Sequence, residues 1–305
     1  MDRRTFLLTP AAAVAPAAGP YLLGCQTLPY AAHPLARALE GIRKAGYRYV
    51  MLNQVHAGQP VFTPALSPAA RTELRARLRD AGLTPFLSFL GRSADIRQGG
   101  ALKAWQDEMD LNLEFGVRIA VTAGPWYYTT FPNVPKRARD WQRECDEFYP
   151  ALERAVRHAE SLGFTITLKP HTGITMHAKA CLQLLARIPS ERLQICWDAG
   201  NVSFYEGIYP DPDLPDLAPH VKAVCIKDHR GLRGEVNFPL PGEGQIDHEQ
   251  MFRILLGAGF DGPIAVERVN GADRGPDKDA ERIDQRIAAA RGYLAPLLEK
   301  LTRKL

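Results

Sequence analysis

No pair of cysteines in the chain falls in a CxxC spacing, although there are five (Cys25, Cys145, Cys181, Cys196 and Cys225). The odd count and scattered positions give neither a disulfide framework nor a zinc ribbon. Charge of one sign is also lacking: 38 basic against 34 acidic residues leave a net +4 over 305 residues. The only basic scatter, Arg71 to Arg79, has helical spacing and reads as a solvated helix face. Nucleic acid is therefore not an expected partner. No Gly- or Ser-rich linker divides the chain, and no GxGxxG follows the first β-rich run, which argues against a dinucleotide fold. The single weakly apolar stretch, 9–20, carries prolines and does not suit a stable membrane span.

What is present is ordinary globular composition, 46% hydrophobic and 24% charged. The extreme N-terminus, Asp2-Arg3-Arg4-Thr5-Phe6-Leu7-Leu8, resembles a twin-arginine export motif, with small residues at Ala15, Ala17 and Ala18 suited to cleavage. The expectation is a signal segment over 1–19 and a periplasmic protein. Leu22-Leu23-Gly24-Cys25 also matches a lipoprotein cleavage site, but the same residues read better as the first strand of the folded domain.

From there strand and helix signals alternate. Runs of β-formers cover 21–26, 47–52, 83–90, 118–122, 164–168, 193–197, 221–226 and 262–266. Helical patterns cover 34–45, 67–80, 100–115, 137–162, 175–186, 249–258 and 279–301. Ser67-Pro68 opens the second helix as an N-cap with proline at its first position, and Gly82 closes it. Eight βα units over 20–305 predict a single-domain (β/α)8 TIM barrel. The Pro-rich segments 209–219 and 238–244 read as long loops over its mouth.

The last four strand runs end in ionisable residues: Lys169-Pro170-His171, Asp198, Lys227-Asp228-His229 and Glu267. A charged group closing a buried strand loses hydration, so four of them at regular intervals mark an active-site mouth at the strands' C-terminal ends. Lysines there, near other charges, are candidate bases or Schiff-base formers if their pKa is lowered, or partners of the nearby carboxylates. Trp126, with Tyr127 and Tyr128, follows Gly124-Pro125 after the fourth strand and offers a face for a sugar ring. The other histidines (His33, His56, His158, His177, His220 and His248) fall on helices or loops and read as solvated.

Together Trp197-Asp198-Ala199-Gly200-Asn201, Val224-Cys225-Ile226-Lys227-Asp228, Pro241-Gly242-Glu243-Gly244-Gln245-Ile246-Asp247 and Ala265-Val266-Glu267 resemble the sugar phosphate isomerase/epimerase family, the xylose isomerase-like TIM barrels. That resemblance implies a divalent metal held by Glu, Asp, His and Glu on strands five to eight, and proton transfer next to a sugar carbonyl. Asp198 and Glu267 fall on two of those ligand positions, while Lys169 and Cys225 stand at the other two. A rebuilt ligand set of His171, Asp198 and Glu267, with His229 as a further candidate, suits Mn, Zn, Fe or Co better than Ca, with Mg left open. Glu267 or neutral Lys169 is the expected base, with Lys227 beside them; Trp126, Asn201, Asp228 and Glu243 are the expected substrate contacts. The expected activity is a metal-dependent isomerase or epimerase on a small carbohydrate. A keto-glycoside lyase and a non-catalytic sugar-binding barrel are the alternatives, and a DNA-repair barrel is disfavoured. Homo-oligomer formation is left open.

Overall fold

The eight β-rich runs are eight parallel strands of one closed barrel: β1 (Leu22–Gln26), β2 (Tyr49–Leu52), β3 (Thr84–Phe89), β4 (Ile119–Thr122), β5 (Thr165–Leu168), β6 (Leu193–Trp197), β7 (Val221–Ile226) and β8 (Pro263–Val266). Strand β1 closes the ring by pairing with β2 (Gly24 opposite Tyr49) and with β8 (Gly24 opposite Ala265). The computed structural model describes residues 21–303 except Ser93 and Arg274, so the export segment assigned to 1–19 lies outside the described residues. Cys25 sits within β1 and is fully buried.

Around the barrel run α1 (Leu35–Lys44), α2 (Pro68–Asp80), α3 (Ala101–Glu114), α4 (Ala138–Leu162), α5 (Ala178–Arg187), α6 (Ala199–Glu206), α7 (Leu214–Leu217), α8 (His248–Gly257) and α9 (Ala280–Thr302). Their ends follow local chemistry. The Ser67 side chain accepts from the Ala70 amide at the start of α2, and Asp279 accepts from Glu281 and Arg282 at the start of α9. Two short hairpins, Val55–His56 with Gln59–Pro60 and Tyr128–Thr130 with Val134–Pro135, decorate the loops after β2 and β4.

The sixth unit departs from the sequence reading. Helix α6 starts directly at the end of β6, and segment 209–219 is not a loop over the mouth. Its Leu214 and Leu217 are buried in α7, which packs against α5 and α8 in the outer layer. Two leucines three residues apart are too short a periodic signal to stand out beside the prolines.

Strand alternation sorts the core into two layers. Val121, Cys196, Ala223, Cys225 and Ala265 point inward with Met51, Leu87 and Phe89. Their neighbours Leu168, Ile195, Trp197, Val224, Ile226 and Val266 point outward against the helices. Because side chains alternate with a period of two, the next inward position after Cys196, Cys225 and Ala265 is Asp198, Lys227 and Glu267. Lys169 follows Thr167 in the same way, and each of the four is the first residue beyond its strand.

Candidate active site

Four consecutive strands thus deliver two ammonium and two carboxylate groups to one layer at the top of the barrel. Lys169 Nζ lies 2.6 Å from Glu267 Oε2 and 3.5 Å from Asp198 Oδ2. Lys227 Nζ lies 3.2 Å from Glu267 Oε1 and 3.3 Å from Asp198 Oδ2. Charges alternate around this ring, and all four residues are buried. Their backbones continue the ladder: the Lys169 amide donates to Thr122 O at 2.9 Å and the Glu267 amide to Ile226 O at 2.8 Å.

Helix α6 braces the ring. Asp198 caps it, its Oδ1 accepting from the Asn201 amide at 2.9 Å. Asn201 accepts from Lys227 Nζ at 2.9 Å through Oδ1 and donates to Pro170 O at 2.6 Å through Nδ2. Gly200 makes the close approach of α6 to β7 feasible, since a Cβ there would sit 2.4 Å from the Lys227 carbonyl oxygen.

Burial by itself would raise Glu267, but the Lys169 and Lys227 charges outweigh it and hold the carboxyl far below the usual range. Burial likewise pulls Lys169 down, yet the neighbouring carboxylates keep its ammonium well above 10.5. This contact with two carboxylates favours the ammonium form of Lys169 over the neutral amine that a base or Schiff-base nucleophile needs. Asp198 is raised by burial against the pull of both lysines.

The residues do not fit the divalent ion that the resemblance implies. Both Glu267 oxygens accept from ammonium groups, and Asp198 Oδ2, though it has no hydrogen-bond partner among the described residues, lies 3.3 and 3.5 Å from the same two, so an ion there would meet both lysines at close range. One unit like-charge pair at 4 Å costs about 4 kcal/mol at an effective dielectric near 20, and a divalent ion doubles each such cost. His229 is not free to ligate: Nε2 faces the Glu235 carbonyl at 2.9 Å and Nδ1 faces Ser203 Oγ at 2.8 Å. The Cys225 thiol lies 3.6 Å from Cys196 Sγ, and that contact and burial push it well above 9. Among the described residues no group of three or more His, Cys, Asp and Glu side chains is arranged to hold a metal ion.

Lys227 and Glu267 open onto a cavity of about 340 Å³, also lined by His171, Asn201, Tyr205 and Arg268. That volume falls within the range of small-molecule sites. A second cavity, about 440 Å³, lies on the other side of Lys169, toward Phe89, Arg92 and Trp105. His171 Nδ1 lies 3.1 Å from Lys169 O. A carbonyl oxygen only accepts, so Nδ1 carries the hydrogen and Nε2 keeps its lone pair. Burial, with Lys169 and Lys227 nearby, pushes His171 down to about 3, so the ring is neutral.

Trp126, His171 and Tyr205 form an aromatic wall, with ring centroids 5.8 Å apart for Trp126–His171 and 5.2 Å for His171–Tyr205. Tyr205 escapes a sequence reading built on strand ends, because it lies two turns into α6. It follows Asn201 by four positions, so both project from one helix face; burial raises its phenol to about 12. Arg268 escapes it too, standing next to Glu267 with its guanidinium 4.3 Å from the Phe238 ring centroid.

Of the expected substrate contacts only Asn201 lines the first cavity; Trp126 stands behind it, packed on His171 and Tyr205, and Asp228 and Glu243 lie elsewhere. Asp228 is fully buried and organises the following loop. Its Oδ1 accepts from the His229 and Ile246 amides, and its Oδ2 from those of Gly242 and Gly244. The Pro-Gly-Glu-Gly run exists for this purpose, since a Cβ on Gly244 would lie 2.1 Å from Asp228 Oδ1. Glu243, on the outside of that loop, is exposed and does not line the cavity. His56 and His248 are buried rather than solvated; His56 Nε2 lies 2.8 Å from Thr27 Oγ1.

The fold has many solved relatives. A xylose isomerase domain protein from Alicyclobacillus acidocaldarius shares 19% identity at a TM-score of 0.70, over 92% of this chain and 99% of that one. A xylose isomerase-like TIM barrel protein from Mycobacterium smegmatis, in complex with magnesium, gives 17%, 0.71, 92% and 98%. The 3-keto-D-glucoside 4-epimerase of E. coli gives 16%, 0.65, 89% and 99%. At such identities the likeness is one of fold. Among curated proteins, an inosose dehydratase from Clostridium beijerinckii is 24% identical over 196 residues. That match spans 59% of this chain and 61% of the dehydratase. The model of the xylose isomerase-like TIM barrel family matches residues 39–292, from α1 into α9, and the chain belongs to that family.

Proposed function

We propose that this protein is a carbohydrate-modifying enzyme of the isomerase or epimerase type, moving a proton at the carbon next to a substrate carbonyl. The observation that carries this reading is His171, a neutral imidazole with Nδ1 tied to Lys169 O and Nε2 unclaimed among the described residues, on the wall of a cavity that also presents Lys227. An imidazole whose other nitrogen is fixed by a carbonyl is oriented for general-base work. Lys227 would hold the carbonyl oxygen, placing a fixed positive charge where negative charge develops as the proton leaves. Asn201 fixes the Lys227 ammonium, and Tyr205, backed by Trp126, presents an aromatic side chain to a sugar in the cavity. Glu267 serves this chemistry as the counter-charge of both lysines, since each of its oxygens is occupied by an ammonium group, whereas His171 Nε2 faces the cavity side of the site.

Loss of a β-hydroxyl is a second outcome of the same proton removal. Tyr205, kept as a neutral phenol beside the cavity, is placed to protonate a leaving hydroxyl. The curated relative is a dehydratase.

One experiment separates these outcomes. The purified protein is incubated in D2O with ketoses, 3-keto-glucosides and inososes and followed by NMR. Deuterium entering next to the carbonyl, abolished in His171→Gln, is the expected result; loss of water in place of exchange would assign the lyase. Sugar binding without exchange or elimination on any substrate would overturn the enzyme reading in favour of a binding barrel.

A further inference from the structure

We infer that the Lys169 and Lys227 ammonium groups stand in place of a divalent ion, so that this barrel holds its two inward carboxylates, and binds its ligand, without a metal. The two lysines bring the same charge as such an ion to the same point, the centre of the ring of strand ends β5 to β8. They touch both carboxylates, at 2.6 and 3.2 Å to Glu267 and 3.5 and 3.3 Å to Asp198. The ring is electrically neutral as it stands, which is how four buried charges are tolerated. Asn201 supports the ring from outside: its Oδ1 accepts from Lys227 Nζ and its amide donates to Asp198 Oδ1, while Asp198 Oδ2, without a hydrogen-bond partner among the described residues, meets the lysines as charges at 3.3 and 3.5 Å. Each of the two carboxylates is contacted by both ammonium groups.

The two ammonium groups divide the work by position. Lys227 lines the cavity shared with His171 and Arg268, whereas Lys169 lines the other cavity and reaches the first through Glu267. Lys227 is therefore the group that meets the ligand's oxygen, and Lys169 is a positioning residue that keeps Glu267 in register. The assignment of Lys227 to a substrate carbonyl rests on the function proposed above; the replacement of the ion does not.

The test is titration calorimetry of the full chain, stripped with EDTA, with Mn2+ as the probe. The melting temperature is read in parallel with and without the ion, since a ligand binding only the native state raises it. The native protein is expected to take up no Mn2+ and to melt at the same temperature in both conditions. Lys169→Glu turns the ring from neutral to net −2, and is expected to bind Mn2+ at least about 100-fold more tightly than the native chain. Lys169→Gln, a milder change, serves the same purpose if Lys169→Glu does not fold. Near-stoichiometric Mn2+ on the native chain, lost in Asp198→Asn, would overturn the inference, as would failure of both Lys169 variants to gain a site. If sugar exchange fails while the titrations behave as expected, the proposed reaction falls and the replacement stands. If exchange is found and EDTA abolishes it, the replacement falls and the reaction stands.

Discussion

Lys169 and Lys227, 58 residues apart in the chain and on strands that are not neighbours in the barrel, grip opposite oxygens of the one Glu267 carboxylate, at 2.6 and 3.2 Å. Each lysine also reaches Asp198 Oδ2. The site's electrostatics follow from this shared grip: charges that would be intolerable singly are stable as a closed set.

Breaking the set from one side should be costly. Lys169→Met leaves Glu267 and Asp198 sharing a single cation, and is expected to lower stability by about 3–5 kcal/mol. Adding Glu267→Gln removes the excess negative charge and should recover part of that loss. Denaturant titration of both singles and the double variant reads the coupling; strict additivity would show that the ring does not act as a unit.

His171 makes stability depend on pH in a defined direction. Its native pKa, about 3, lies below the ordinary value of 6.5, so between these values the unfolded chain binds a proton that the native chain does not. Its contribution is therefore complete above about pH 6.5 and is lost as pH falls toward the native value. Melting temperatures from pH 7 down to about 4 should fall less steeply in His171→Gln than in the native protein. His56, His229 and His248, also lowered by burial, keep part of the slope in both. Superimposable curves would count against the lowered pKa of His171.

Asn201 serves two partners with one amide, so it has no conservative substitute. Asn201→Ala strands the Pro170 carbonyl and one Lys227 proton and should cost roughly 1–3 kcal/mol. Asn201→Asp keeps the acceptor for Lys227 but faces an oxygen to Pro170 O and adds a negative charge to the ring. Thermal melts of the two variants check this, Asn201→Asp being no better than Asn201→Ala.

Asp228 should behave as a loop organiser. Asp228→Asn points an amide at backbone N–H groups that now donate to a carboxylate, and should cost roughly 3 kcal/mol or more. The damage should appear as faster hydrogen exchange at Gly242, Gly244 and Ile246. Gly244→Ala should reproduce it, because the added Cβ displaces the carboxylate. Unchanged exchange in both variants would assign Asp228 another role.

Much of the architecture is written locally. The eight strands lie where runs of β-formers stop, because a buried parallel strand needs a short apolar run and a turn at each end. Lys169, Asp198, Lys227 and Glu267 were legible as site candidates because each interrupts such a run on the inward parity. Helix α6 and Tyr205 were not, since the helix begins at a strand end with no intervening turn. The loop-organising contacts of Asp228 are not legible either, because its four amide partners come from a motif that looks, in one dimension, like a row of polar contacts.

The sequence by itself therefore determined the barrel, the mouth at the ends of β5 to β8, and the four charged residues there, since strand periodicity and burial cost are properties of short segments. Only the tertiary structure decided what those charges are to one another. Whether Lys169 is a base, a nucleophile or a counter-ion depends on distances of 2.6 to 3.5 Å between residues up to 98 positions apart. Such distances are set by barrel closure and strand register, and no local pattern encodes them.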